Sequence, residues 1–179
     1  MKRRQVLTGA AALGLVGKGP LMAKTSALYV PPEEDPHAQT FMMWPASRKV
    51  HPDRVFLDIL QDTIARIANT IAEFEPVILL AAKSDHAATR KILSDKVQLW
   101  DIPTEDLWAR DAGPLFAWLD SKLVISHIQF DGWGKKQIHT RDAQVTAQIA
   151  KRRGIEMLSS GWNGEAGGVE HVGHGLLMA

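Results

Sequence analysis

The 179-residue sequence contains no cysteine. No disulfide can brace its fold, and no thiolate can act as a nucleophile or metal ligand from within these residues. An excess of one charge is missing too, since 21 Lys and Arg stand against 20 Asp and Glu. Without a basic stripe there is no electrostatic footprint for nucleic acid. Lys151-Arg152-Arg153 is the densest basic cluster outside the N-terminus, and it reads as the end of a helix, where cations complement the macrodipole. The glycine-rich stretch from Gly161 to Gly175 has neither G-x-G-x-x-G nor a G-K-[ST] ending, which argues against a phosphate or dinucleotide site. His171 and His174 are spaced like metal ligands, but no Cys, Asp or Glu completes a four-ligand set, so neither metal nor cofactor is expected. The composition that remains, 45% hydrophobic and 23% charged, is that of a globular chain with one core.

The first residues read as an address. Lys2-Arg3-Arg4-Gln5-Val6-Leu7 precedes an Ala/Gly-rich stretch from Thr8 to Gly17, a pattern that resembles a twin-arginine export signal. That stretch is too short and too glycine-rich to span a bilayer, which takes about 20 apolar residues. We expect residues 1–27 to be the leader, cleaved after Ala23 or Ala27, and residues 28–179 to form the domain. Such a protein is periplasmic or secreted; the alternative is a basic N-terminal tail on a cytoplasmic protein.

Beyond the leader, apolar periodicity alternates between helix and strand. Phe56, Leu60, Ile64, Ile67, Ile71 and Phe74 recur at helical spacing after Asp53, a candidate N-cap, and Pro76 ends the run. Val77 to Ala81 is continuously apolar, as a buried strand would be. A second helix is expected over Ser84 to Leu93 with Ser84 as its cap, and a strand over Val97 to Trp100. Leu115 to Leu119 and Leu123 to Phe130 suggest a hairpin across Asp120-Ser121, with a loop at Gly132-Trp133-Gly134. A third helix over Arg141 to Arg152 turns Val145, Ile149 and Ala150 inward and ends at Gly154. Ile155 to Leu158 is a further strand, and the glycine-rich segment separates or bends two more. The fold class is mixed α/β.

Trp108-Ala109-Arg110-Asp111-Ala112-Gly113-Pro114 carries the clearest chemical signal. A carboxylate and an indole sit in a Gly-Pro turn whose backbone is set by the φ > 0 tolerance of Gly113 and the fixed φ of Pro114. A planar cation would fit that corner. The plainer reading is a capped turn in which Asp111 binds nearby backbone N–H groups. Three more segments accompany it: Pro31-Pro32-Glu33-Glu34-Asp35-Pro36-His37 leading to Trp44-Pro45, then Phe130-Asp131-Gly132-Trp133-Gly134, then Glu165-Ala166-Gly167-Gly168-Val169-Glu170 with Gly173-His174-Gly175.

In this order the segments resemble the N-terminal half of the agmatine deiminase and Porphyromonas-type peptidylarginine deiminase family, from about Pro31 to the last residue. The resemblance implies a guanidine-modifying α/β propeller, the pentein fold, in which five ββαβ-type blades surround one site and the first two or three are present here. It implies a guanidino substrate, either agmatine or the side chain of a peptidyl arginine. A guanidinium is planar, cationic and resonance-stabilised, so the site must grip it with carboxylates and attack it with a thiolate, while a histidine protonates the departing ammonia. No metal is needed. By the family pattern Asp111 is the first guanidinium-binding carboxylate and a catalytic residue, and Trp108 is the aromatic wall. Arg110, Gly113, Pro114, Gly167 and Gly168 shape the turns. Glu165 and Glu170 are candidate substrate-binding residues, although Glu beside a turn is commonly solvated. Ala166 stands where the family has Gly.

The family's His-x-Asp segment and nucleophilic cysteine have no counterpart up to Ala179; His171-Val172-Gly173 is no substitute, because Gly173 brings no carboxylate. The expectation is therefore a deiminase truncated before its catalytic His and Cys. The other reading is a non-catalytic periplasmic remnant that binds a guanidinium or a partner. A homo-oligomer is compatible with either. For export, changing both Arg3 and Arg4 to Lys should hold the chain inside the cell, as read by fractionation; an unaltered chain found cytoplasmic with its N-terminus intact would refute the leader.

Overall fold

The computed structural model describes residues 28–32, 35–168, 170–171 and 177–178. The expected leader over residues 1–27, together with Glu33, Glu34, Gly173, His174 and Gly175, lies outside them. In chain order the elements are β1 (Leu28–Tyr29), β2 (Thr40–Met43), α1 (Arg54–Ile71), β3 (Val77–Ala81), α2 (His86–Thr89), β4 (Val97–Asp101), α3 (Ala109–Ala112), β5 (Leu115–Leu119), β6 (Lys122–Gln129), α4 (Gly132–Lys135), α5 (Val145–Arg153), β7 (Glu156–Asn163), β8 (Glu170–His171) and β9 (Leu177–Met178).

β3 is apolar at every position because both of its faces are covered. It pairs in parallel with β2 on one side and β4 on the other. Val77, Leu79 and Ala81 join Ile64, Ala65, Ala68 and Ala72 of the α1 side in one buried cluster. Ile78 and Leu80 enter a second with Trp100, Phe130, Val145 and Ile149. The second sheet has the order β1-β5-β6-β7. The expected hairpin forms between β5 and β6, and α5 returns the chain so that β7 runs parallel to β6. β5, β6, α5 and β7 thus make one ββαβ unit. The described residues form three separate sheets, with no closed barrel or propeller among them. No helix among them is long and apolar enough to cross a membrane.

Asp53 caps α1 as expected, its carboxylate accepting from Phe56 N–H at 3.1 Å. Gly154 ends α5 in the left-handed conformation, φ 65°. Two local expectations are corrected. The buried face of α1 is Leu57, Ile64, Ala65 and Ala68, whereas Phe56, Ile67 and Phe74 are exposed. Small alanines let the helix lie close on β3, and that contact rotates the larger residues outward. The helix expected over Ser84 to Leu93 is only the turn Lys83–Asp85 followed by α2, and Ser84 makes no capping bond. Arg90 draws the chain back toward β4, since its guanidinium donates to the carbonyls of Ser94 and Val97, each at 2.8 Å.

The loop expected at Gly132-Trp133-Gly134 is a left-handed turn. Gly132, Trp133, Gly134 and Lys135 have φ of 70°, 57°, 71° and 64°. This conformation crowds Cβ against the following carbonyl, costing each of Trp133 and Lys135 about 1–2 kcal/mol. The face assignment of α1 is testable by a pair of truncations. Ile64, 8% exposed, should lose about 2–5 kcal/mol on change to Ala. Ile67, 43% exposed, should lose less than about 1 kcal/mol. Urea unfolding of the two variants checks this, and equal losses would restore the face read from periodicity.

Candidate functional site

The loop that follows β4 is anchored from beneath by buried carboxylates. Thr104 donates its hydroxyl to the Trp44 carbonyl at 2.6 Å. Asp142, just before α5, accepts from the backbone N–H groups of Glu105 at 2.7 Å and Asp106 at 3.1 Å. Glu105 returns the bond, its Oε2 accepting from Arg141 N–H at 2.9 Å. Asp106 Oδ1 pairs with His51 Nε2 at 2.8 Å, and its Oδ2 accepts from the Gln137 side-chain amide at 2.8 Å. Glu105, Asp106 and Asp142 are all buried. Burial pushes the Asp142 carboxyl up to about 7, aided by the Glu105 and Asp106 charges and opposed by the two N–H bonds it accepts.

From this anchor the chain rises to Trp108 and the single turn α3. Asp111 and Ala112 N–H both donate to the Trp108 carbonyl at 3.1 Å, and Gly113 N–H donates to Ala109 C=O at 2.9 Å. Gly113 has φ −79°, so its expected positive φ is not found. Glycine is required there on steric grounds, because a Cβ would overlap the Ala109 carbonyl oxygen. Pro114 follows directly and leads into β5. Thr146 on α5 ties the turn down by donating to the Ala112 carbonyl at 3.0 Å.

Asp111 is half-buried, and its Oδ1 fills the space that a side chain at Gly167 would need. Arg110 lies against the same glycine through its aliphatic stem. Two segments distant in sequence therefore meet, the carboxylate resting on the backbone of the turn Ala166–Gly168. Glu165 packs on Gly168 one step further along this segment. Glu170 lies in β8 opposite Met178, and its side chain is outside the described atoms. Trp108, 51% exposed, stands three residues before Asp111 and meets Trp133 ring-to-ring at 6.4 Å, nearly perpendicular. A carboxylate seated on a fixed turn near an open indole can hold a planar cation by hydrogen bonds and by stacking.

A cleft of about 760 Å³ lies nearby, lined by Pro31, His37, Phe41, Ala109, Arg110 and Trp118 among others. It receives Arg110 and not Asp111. Its described lining carries the carboxylate of Asp35 and the guanidinium of Arg110, and a cation already in the wall repels a second, so the chemistry favours the Asp111 corner. The sequence reading missed Glu105, Asp106, Asp142, His51 and Gln137. The only signal was the acidic doublet Glu105-Asp106, one residue short of the Trp108 motif.

The Asp142 carboxyl has a folded-state value above its ordinary 3.8, so the folded chain holds a proton that the unfolded chain releases. Its contribution to stability is complete below 3.8 and is lost as pH rises through about 7. Melting temperatures between about pH 5 and pH 8 should fall in the parent by the equivalent of roughly 1 kcal/mol or more, and less in Asp142→Asn. Parallel pH profiles would exclude Asp142 as the titrating group.

The family described as Porphyromonas-type peptidyl-arginine deiminase matches residues 29–179. The agmatine deiminase of Stutzerimonas stutzeri is 30% identical over 161 residues, which cover 84% of this chain and 42% of that protein. Among solved structures, a C. jejuni agmatine deiminase with substrate bound superposes with a TM-score of 0.74 at 22% identity, covering 89% of this chain and 47% of that one. The agmatine deiminase of Enterococcus faecalis gives 0.71 at 19% identity, covering 84% and 42%. The chain spans less than half the length of each of these relatives. With this match over most of its length, the chain belongs to the Porphyromonas-type peptidyl-arginine deiminase family.

Proposed function

We propose that this chain supplies the guanidinium-gripping part of a guanidine deiminase. The reaction is hydrolysis of agmatine to carbamoylputrescine and ammonia, or of peptidyl arginine to citrulline and ammonia. One observation carries the reading: the Asp111 carboxylate rests on Gly167, on a turn whose indole, Trp108, stays half open. The carboxylate accepts hydrogen bonds from the guanidinium nitrogens, and the indole face covers the cation. Charge-assisted bonds of this kind contribute roughly 1.5–3 kcal/mol each, and the stacking about 0.5–2 kcal/mol. Glu165 and Glu170 flank the same segment and are proposed to meet the distal part of the substrate.

Deimination then needs a thiolate to attack the guanidinium carbon, a histidine to protonate the departing ammonia, and water to release the enzyme. These 179 residues hold no cysteine, so in this reading the thiolate comes from outside them. The ββαβ unit is read as part of a five-bladed propeller around the site. Residues 1–27 are read as a twin-arginine leader that places the protein in the periplasm or outside the cell.

Asp111→Asn keeps the shape and removes the charge. It should weaken agmatine binding about tenfold or more by calorimetry, with circular dichroism unchanged. Affinity equal to the parent's would make the loop a capped turn and no more. Competition by an arginine-containing peptide against agmatine separates the two substrate classes.

A further inference from the structure

The left-handed turn α4 is held on every side. Lys135 N–H donates to the Asp131 carbonyl at 2.9 Å and Lys136 N–H to that of Gly132 at 3.0 Å. Asp131 Oδ1 accepts from Gly134 N–H at 2.8 Å. A side chain at Gly132 would overlap the His139 ring and the Gln137 carbonyl. Gln137 in turn donates to Asp106 at 2.8 Å, which joins this turn to the foot of the Trp108 loop. Unfavourable backbone so thoroughly braced is a feature of sites that need a side chain held in one place.

The side chain delivered is Trp133. Its ring stands perpendicular to that of Phe130, centroids 5.0 Å apart, and perpendicular to that of Trp108 at 6.4 Å. Phe130 is a buried member of the core. A continuous aromatic path thus runs from the core through Trp133 to the half-open indole of Trp108, three residues before Asp111. In a right-handed turn the Trp133 Cβ would leave the backbone in another direction and the path would break.

We propose that Trp133 is a positioning residue for guanidinium recognition: the left-handed turn holds its indole against Trp108 and thereby sets the plane of the wall that faces the cation. The proposal rests on the guanidinium reading of Asp111 and Trp108. It adds a residue that need not touch the substrate.

The test is fluorine NMR on the chain labelled with fluorotryptophan, with agmatine as the probe and the Trp108 line assigned from Trp108→Phe. Trp133→Leu should move and broaden the Trp108 line without ligand, and should weaken agmatine binding about fivefold. Trp133→Phe keeps an aromatic ring at the contact and should recover most of both. Asp111→Asn should weaken binding but leave the free-state Trp108 line in place, which separates charge from positioning. A Trp108 line unmoved in Trp133→Leu overturns the proposal. Should that variant fail to fold, Trp133→Met, which keeps bulk without a ring, takes its place, and an unmoved Trp108 line there overturns the proposal equally. Loss of the agmatine response in the parent itself would defeat the guanidinium reading, and the proposal with it.

Discussion

Two buried carboxylates exchanging backbone hydrogen bonds hold this structure in register. Asp142 binds the N–H groups of Glu105 and Asp106, and Glu105 binds that of Arg141. Burying such groups is costly unless each lone pair finds a donor. Here each spans the gap between the loop after β4 and the start of α5, so the parallel sheet and the ββαβ unit are joined through polar bonds as well as through the Phe130 cluster. The Trp108 to Asp111 loop has little apolar burial of its own beyond Ala112. Its position depends on that foot.

Where local chemistry decides, the sequence was a sufficient guide. β3 is a run of apolar residues and must be covered on both faces. Asp53 and Gly154 act as caps because their side chains, or the lack of one, suit those backbone positions. The face of α1, the shortness of α2 and the role of Gly113 depend on what packs nearby. Helical periodicity marked large residues as inward, but alanines allowed the closer contact with β3. Gly113 looked like a residue chosen for its torsion freedom, and it proved to be chosen for want of a Cβ.

The site was legible in a different way. Asp111, Trp108, Gly167 and Gly168 were singled out by motif order and resemblance, not by any physical rule that brings distant segments together. Their meeting rests on tertiary contacts: Asp111 Oδ1 lies where only a glycine leaves room. The acidic foot left only the Glu105-Asp106 doublet as a trace, because Asp and Glu are normally solvated and nothing in a lone sequence distinguishes a buried pair from a surface one. Trp133 was read as part of a plain loop. A left-handed tryptophan goes against local preference, and sequence rules favour the common conformation.

These departures from local preference share one location. The buried acids lie under the Trp108 loop, and the left-handed turn lies against it, joined to them by Gln137. Chains tolerate such departures when something beyond stability requires them. A guanidinium is an undemanding partner in water, where any carboxylate can reach it with its hydration shell in place. Gripping it as it loses that shell requires acceptors and a wall that do not have to reorganise as the charge arrives. In the function proposed above, a foot of backbone-bonded carboxylates, a glycine that admits one oxygen and a turn that holds one indole would all act toward that end. The cleft lined by His37 and Arg110 already holds an ion pair, His37 Nε2 to Glu75 at 2.6 Å, and the Arg110 cation in its wall repels a second, which leaves the corner at Asp111 as the better candidate for a cation.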